Sequence, residues 1–405
     1  MNRPLDSFDL RRLPGDFYED PFPYYAALRA KEPVKRMPDG SILLTRYRDI
    51  EFAYKNPKIF SSDKHLEFSA KFGATPLFRH HTTSLVFNDP PLHSRVRRLI
   101  GGPLTPKAIA AIEPSLTQLV DQLLGRLGDR GGGDLIEDFA AAIPIEVIGN
   151  LLGLPHAERG PLRRWSLSIL GALEPNLSEN AIARGNEAVT EFSAYLEELI
   201  ARRRAEHRPA DSDLLTRLMD GDSDGEKLST SELIQNCIFL LNAGHETTTN
   251  LIGNGLVLLA QHPRERERLI ADPALIKSAV EEFLRFESSN QLGNRITTQA
   301  VEIGGVAIAA QTPVTLCIGA ANRDPEQFPD PNSLDISRTP NRHLAFGSGI
   351  HQCAGTGVAR LEACIAIGRF VARYPGYILS GEARRGRRAR FRGFLNVAIS
   401  VSRPA

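Results

Sequence analysis

One stretch of this sequence constrains the fold more than any other. From Ser229 to the next proline, Pro263, the chain offers nothing that would end a helix. It opens on Ser229-Thr230-Ser231-Glu232, a capping-box pattern in which hydroxyl and carboxylate each satisfy a backbone N–H at the helix start. The helix this predicts is more than thirty residues long, against about 11 to 12 for the average globular helix. Its apolar residues nearly surround it: Ile238, Phe239, Leu240 and Leu241, then Leu251, Ile252, Leu256, Val257, Leu258 and Leu259. A helix apolar on most sides must be covered on most sides, so it crosses the centre of the molecule.

The covering elements are mostly helical too. Residues 105–128, 134–153 and 180–204 carry apolar side chains at three- and four-residue spacing. Tyr24–Lys31, a segment opening at Asp272-Pro273 and running to about Glu287, and Val358–Tyr374 read the same way. Short strand patterns flank Pro38-Asp39-Gly40 and Gly304-Gly305, two hairpin signals. The fold class is therefore mainly α with small β-sheets (α+β). A length of 405 residues suits two or three domains. Helices and strands interleave without a linker, however, and we expect one large domain over 1–405.

Composition removes several function classes. Lys and Arg number 49 against 48 for Asp and Glu, so bulk charge offers no footprint for nucleic acid or an anionic membrane. The run Arg384-Arg385-Gly386-Arg387-Arg388-Ala389-Arg390 reads as a solvated surface loop. No apolar run reaches about 18 residues and Met1–Asp6 has no apolar leader core, so we expect a soluble, cytoplasmic protein. The four cysteines, Cys237, Cys317, Cys353 and Cys364, include no C-x-x-C pair. Any important cysteine acts alone.

Cys353 is the candidate. It lies in Phe346-Gly347-Ser348-Gly349-Ile350-His351-Gln352-Cys353-Ala354-Gly355, a glycine-dense loop just before a helix. Backbone N–H groups at such a position favour a thiolate, which suits a nucleophile or an axial metal ligand. Gly349 and Gly355 let the backbone approach something large and flat. The pattern F-x-x-G-x-x-x-C-x-G resembles the haem-binding loop of the cytochrome P-450 family at every fixed position. The resemblance implies that Cys353 is the thiolate ligand of haem iron, with Phe346 packed over the loop. A thiolate donates electron density and favours O–O cleavage.

Three further stretches carry the resemblance. Ala243-Gly244-His245-Glu246-Thr247-Thr248 is similar to the family's oxygen-activation segment. It implies room for O₂ and a loosened helix at Gly244, a proton relay at Glu246, and a Thr247 hydroxyl that hydrogen-bonds the dioxygen being cleaved. The same stretch begins like a zinc H-E-x-x-H motif, but Thr249 occupies the second histidine position. Glu282-Phe283-Leu284-Arg285 matches the family's E-x-x-R ion pair, a structural anchor. The family completes it with an arginine where this chain has Ser333, leaving Arg323 and Arg338 as candidates. His93 and Arg97, four apart on one helical face, match a pair that contacts a haem propionate, and Arg295 and His351 would be further propionate partners.

The resemblance thus implies a bacterial-type monooxygenase in which haem b (iron protoporphyrin IX) lies between the long central helix and the helix after Cys353. O₂ and a small organic substrate would meet there. No G-x-G-x-x-G is present, so electrons would come from a separate ferredoxin and its reductase. We expect a monomer. The same fold also supports peroxide-driven peroxygenases, haem-dependent isomerases or reductases, and non-enzymatic haem sensors. Glu246 and Thr247 together favour O₂ activation. The substrate pocket would draw on Phe87, Asn242, Ala243, Leu292 and Phe394, and the phenylalanines before His93 suit an apolar or aromatic compound. Arg79-His80-His81 would suit a carboxylate.

Overall fold

The computed structural model describes residues 7–101, 104–206, 208–209, 213–221 and 225–402. The long helix spans Thr230–Gln261. Its start is the expected capping box: Ser229 N–H donates to the Glu232 carboxylate at 2.8 Å, and Glu232 N–H donates to Ser229 Oγ at 3.2 Å. The next helix begins at Pro263, where proline can start a helix but not continue one.

The chain divides into two compact units, each built from segments distant in sequence. One comprises Met1–Ser61, Glu113–Ile143 and Thr247–Ala405; the other comprises Ser62–Ile112 and Pro144–Glu246. The first half of the long helix belongs to the second unit and its other half to the first.

The second unit is helical. Ile234, Ile238 and Leu241 of the long helix share an apolar cluster with Ile148, Trp165, Ile169, Phe192 and Leu196. Each side chain buried this completely contributes about 1.5–3 kcal/mol, so apolar burial is the main force that holds this half of the helix in place.

The first unit joins helices to sheets. A five-stranded sheet runs in the order Val34–Arg36, Ile42–Leu44, Pro313–Cys317, Leu292–Thr297, Phe60–Ser61, and its one parallel pairing puts Ile42 opposite Val314. Both expected hairpins form, the second over Val301–Ile303 and Val306–Ile308. Small residues set how closely the helices pack. A Cβ on Gly255 of the long helix would lie 2.8 Å from Ile367 and 2.9 Å from Phe283. These belong to the helices Thr356–Arg373 and Ile276–Phe286.

Two expectations change. The helix expected over 134–153 starts late: Gly132–Asp134 is a strand, and regular α-helix resumes at Ala142–Leu151. Gly131-Gly132-Gly133 makes the strand possible, because all three adopt positive φ and a Cβ on Gly132 would sit 2.1 Å from the Ile399 carbonyl. The arginine run is not a solvated loop throughout. Arg385 ends the strand Ile378–Arg385 and pairs with buried Glu287 at 2.9 Å, while Arg390 donates to the Leu292 carbonyl at 2.8 Å.

Candidate active site

In the first unit, the cysteine loop is held by backbone geometry and by one ion-pair network, while a second network holds the chain segment before it. Gly347 and Gly349 have φ of +66° and +70°, the left-handed region glycine adopts without strain. A Cβ on Gly349 would lie 2.3 Å from the Tyr54 carbonyl, so nothing larger fits. Cys353 N–H donates to the Phe346 carbonyl at 2.9 Å, and the Thr356 hydroxyl donates to the Cys353 carbonyl at 2.8 Å. These bonds close the loop and leave Cys353 exposed, while Cys237 and Cys317 are buried and Cys364 is half-buried.

The first network centres on Glu281. It pairs with His343 at 3.1 Å and bidentately with Arg360 at 2.6 and 2.7 Å. Burial alone would raise the Glu281 carboxyl, but His343 and Arg360 outweigh it and lower the pKa to about 2. The Arg360 guanidinium also lies 5.0 Å from the Phe346 ring centre, so one cation joins two helices and the loop. Arg360 is held above its ordinary pKa mainly by Glu281, with smaller contributions from Cys364 and Cys353. Reciprocally, the positive charge of Arg360 favours a thiolate at Cys353.

The second network settles what accompanies Ser333. Glu282 and Arg285 are fully buried and pair bidentately at 2.7 and 2.8 Å. Arg338 adds Nε at 3.2 Å, and Asn341 Nδ2 and the Asp335 N–H each donate at 3.0 Å. The remaining donors of Arg285 hold the carbonyls of Asn322, Pro331 and Ser333. Arg338 therefore closes the network, and Ser333 supplies only its backbone. Arg323 is committed elsewhere, donating to the Phe286 carbonyl at 2.8 Å.

Arg295 is buried on the strand Leu292–Thr297, its guanidinium 5.1 Å from the Tyr54 ring centre. The carbonyl of the same tyrosine abuts Gly349, so Tyr54 ties Arg295 to the cysteine loop. No sequence signal marks Tyr54, some three hundred residues upstream. His351 is half-buried in the turn Gly349–His351, and Gly355 precedes the first turn of the following helix. Leu292 is buried in an apolar cluster with Tyr25 and Leu28, and Phe394 is buried beneath the Arg385 guanidinium.

In the second unit, His93 is buried and Arg97 half-buried on the helix Leu92–Gly101. Arg95 and Arg98 are used locally, pairing with Glu232 and Glu226. Among the described residues no acidic group pairs with Arg97. Phe87 is half-buried, its ring 5.0 Å from Phe68 and 5.5 Å from His81. Burial lowers the His80 pKa to about 4, partly offset by its 3.0 Å hydrogen bond with Gln235, and Arg79 is exposed. His80 is therefore neutral near pH 7 and brings no charge to a carboxylate.

Along the long helix, Asn242, His245 and Glu246 are buried, and Ala243, Gly244 and Thr247 half-buried. The helix continues through Gly244 without the loosening expected there. A Cβ at Gly244 would meet only Ile148, at an ordinary 3.8 Å. Burial first, and the charge of Arg163 second, lower His245 to about 3, so it is neutral.

Glu362 escaped the sequence reading altogether. It is buried on the helix Thr356–Arg373, its Oε2 has no hydrogen-bond partner, and burial raises it to about 8.

The donor set decides which metal chemistry fits. Among the described residues no three His, Cys, Asp or Glu side chains gather to hold an ion. A lone exposed thiol therefore suits a metal whose other ligands belong to a cofactor. Buried Arg295, in the same unit as Cys353, suits a carboxylate on that cofactor. No helix among the described residues is long and apolar enough to cross a membrane.

Comparisons with known proteins agree with this chemistry. The sequence profile of the cytochrome P450 family matches residues 172–385. The vitamin D(3) 25-hydroxylase of Pseudonocardia autotrophica is 42% identical over 373 residues, covering 90% of this chain and 89% of that protein. P450BioI, solved in complex with an acyl carrier protein carrying hexadec-9Z-enoic acid, superposes with a TM-score of 0.90 at 34% identity, over 96% of this chain and 99% of the other. CYP109E1 of Bacillus megaterium, in complex with testosterone, superposes with a TM-score of 0.87 at 31% identity, over 96% and 99%.

Proposed function

This chain belongs to the cytochrome P450 family and is a monooxygenase that binds haem b; on that premise we propose that Cys353 is its iron ligand and that His93, Arg97, Arg295 and His351 hold the haem propionates. The observation that carries this reading is the thiol of Cys353, held in a glycine loop whose Phe346 packs against Arg360 and His343, both paired with Glu281. Bound haem supplies dioxygen activation and the insertion of one oxygen atom into an organic substrate, the other leaving as water.

The protein's own groups do the rest. Arg360 favours the thiolate by its charge. Glu246 moves a proton from the buried helix face, and the Thr247 hydroxyl positions it, in surroundings from which apolar side chains exclude water. Gly244 and Ala243 keep the helix surface low, while Phe346 and Gly355 shape the approach to Cys353. Glu282 and Arg285 are structural. For a small, mostly apolar or aromatic substrate, the family resemblance points to Phe87, Asn242, Ala243, Leu292 and Phe394. The two units act as one catalytic domain, in a monomer that works in the cytoplasm and receives electrons from a ferredoxin-type protein and its reductase.

The test is spectroscopic. Wild-type protein reduced under carbon monoxide gives a thiolate-type absorption, and Cys353→Ala loses it. A variant that keeps the wild-type band would refute the assignment.

A further inference from the structure

The reading above leaves the substrate's chemistry open, and the inference here rests on that reading. Asn242 lies in the buried first half of the long helix, only 1% exposed. Neither its Oδ1 nor its Nδ2 has a hydrogen-bond partner. Each buried polar atom left in this state costs about 1–3 kcal/mol, and natural interiors rarely tolerate one such atom, let alone an entire amide. The deficit is the same whichever way the amide is turned, because both ends are unsatisfied.

The surroundings say what would satisfy it. Ile238 lies one turn before Asn242 and Glu246 one turn after, on the same helical face. Ile238 and Leu241 belong to the apolar cluster with Ile148, Trp165 and Ile169. His245, three residues after Asn242, is neutral near pH 7 because burial and the charge of Arg163 both disfavour its protonation.

We propose that Asn242 is the polar anchor of the substrate, and that the substrate is a neutral, largely apolar molecule bearing an alcohol or a carboxamide. An orphaned donor beside an orphaned acceptor calls for a partner with both functions. A hydroxyl supplies them from one oxygen, and a carboxamide supplies them as a bidentate pair. A ketone or ester satisfies only Nδ2. A carboxylate does the same and sets its charge against Oδ1. The anchor lies one turn from Glu246, so it fixes which end of the substrate stays put while another position is oxidised.

The test uses the haem-loaded protein and matched probes: testosterone with androst-4-en-3-one, which lacks the 17-hydroxyl, and 1-adamantanol with adamantane. Spin-state titration gives a dissociation constant for each. The wild type should prefer at least one alcohol over its deoxy partner by about 10- to 100-fold, the range expected from satisfying buried polar atoms. Asn242→Leu, similar in shape but without polar atoms, should bring that ratio close to one. The ligand-free Asn242→Leu protein should also melt at or above the wild-type temperature, because it removes an unsatisfied amide. No alcohol preference in the wild type, a preference that Asn242→Leu retains, or a clear fall in its melting temperature would each overturn the proposal. The carbon monoxide spectrum of the same samples tells this failure from failure of the haem-thiolate reading, which would show as a missing thiolate band in the wild type.

Discussion

Two glutamates on neighbouring helices of one unit, Glu281 and Glu362, end in opposite chemical states. Glu281 is drawn down to about 2, although burial pushes it the other way, because His343 and Arg360 face it. Glu362 sits two residues after Arg360 on the same helix, yet no cation reaches it, and burial raises it to about 8. Burial alone therefore does not decide the charge of a carboxyl here. The side to which each helix face turns decides it, because Arg360 points at Glu281 and not at Glu362. The framework behind the cysteine loop is thus built from ionised pairs, while the face carrying Glu362 holds a neutral acid.

The comparison can be broken most violently at Glu282, which is more deeply buried than either and depends wholly on its partners. Removing one member of a buried pair strands the other charge, which typically costs about 3–5 kcal/mol. Arg285→Ala should lose about that much in denaturant unfolding, together with the anchors on the Asn322, Pro331 and Ser333 carbonyls. Arg338→Ala, at a longer 3.2 Å and nearer solvent, should lose less. Equal losses for the two variants would show that Arg285 has no special place in the network.

Glu362 supplies the next largest effect, and its sign is opposite to that of a paired carboxylate. Its folded pKa, about 8, lies above the ordinary 4.5, so the folded chain holds the proton more tightly than the unfolded chain. This contribution is complete below pH 4.5 and is lost as pH rises toward 8. Between pH 6 and pH 9 the protein should lose about 3 kcal/mol of stability from this group. Glu362→Gln, which stays neutral, should remove that slope. Parallel unfolding series at the two pH values check it, and identical slopes in wild type and variant would mean that Glu362 is not neutral in the fold.

How far the sequence reached follows the same division. The long helix, its capping box and the hairpins were legible because they depend on local periodicity and turn chemistry. The cysteine loop and the Glu282–Arg285 pair were legible because they lie within short spans. What escaped depends on distant residues. Tyr54 reaches the loop by packing against Gly349, and Arg338 replaces Ser333 from five positions further on. The strand Gly132–Asp134 against Ala398–Ser400 was not legible, because glycines at positive φ leave no periodic trace. Glu362 could not be recognised at all, since one glutamate in a helix carries no sign of whether a cation will face it.

Glu281 gives the smallest effect, and it runs the other way. Its folded pKa, about 2, is below the ordinary 4.5, so its stabilising contribution is present above pH 4.5 and fades as pH falls toward 2. A fifth to a quarter of its side chain meets solvent, at 24%, and water screens the pairing with Arg360, itself 44% exposed. After that discount, lowering the pH from 6 to 3.5 should remove about 1 kcal/mol in the wild type. Glu281→Gln, with no charge to lose, should already lack it at pH 6 and change less over the interval. Because Arg360 bridges Glu281 and the Phe346 ring, the variant should also loosen the cysteine loop. That should appear as faster proteolysis near Phe346 in Glu281→Gln and not in Glu362→Gln. If the two variants are cleaved alike, the Glu281–Arg360 ion pair is not what distinguishes these two glutamates.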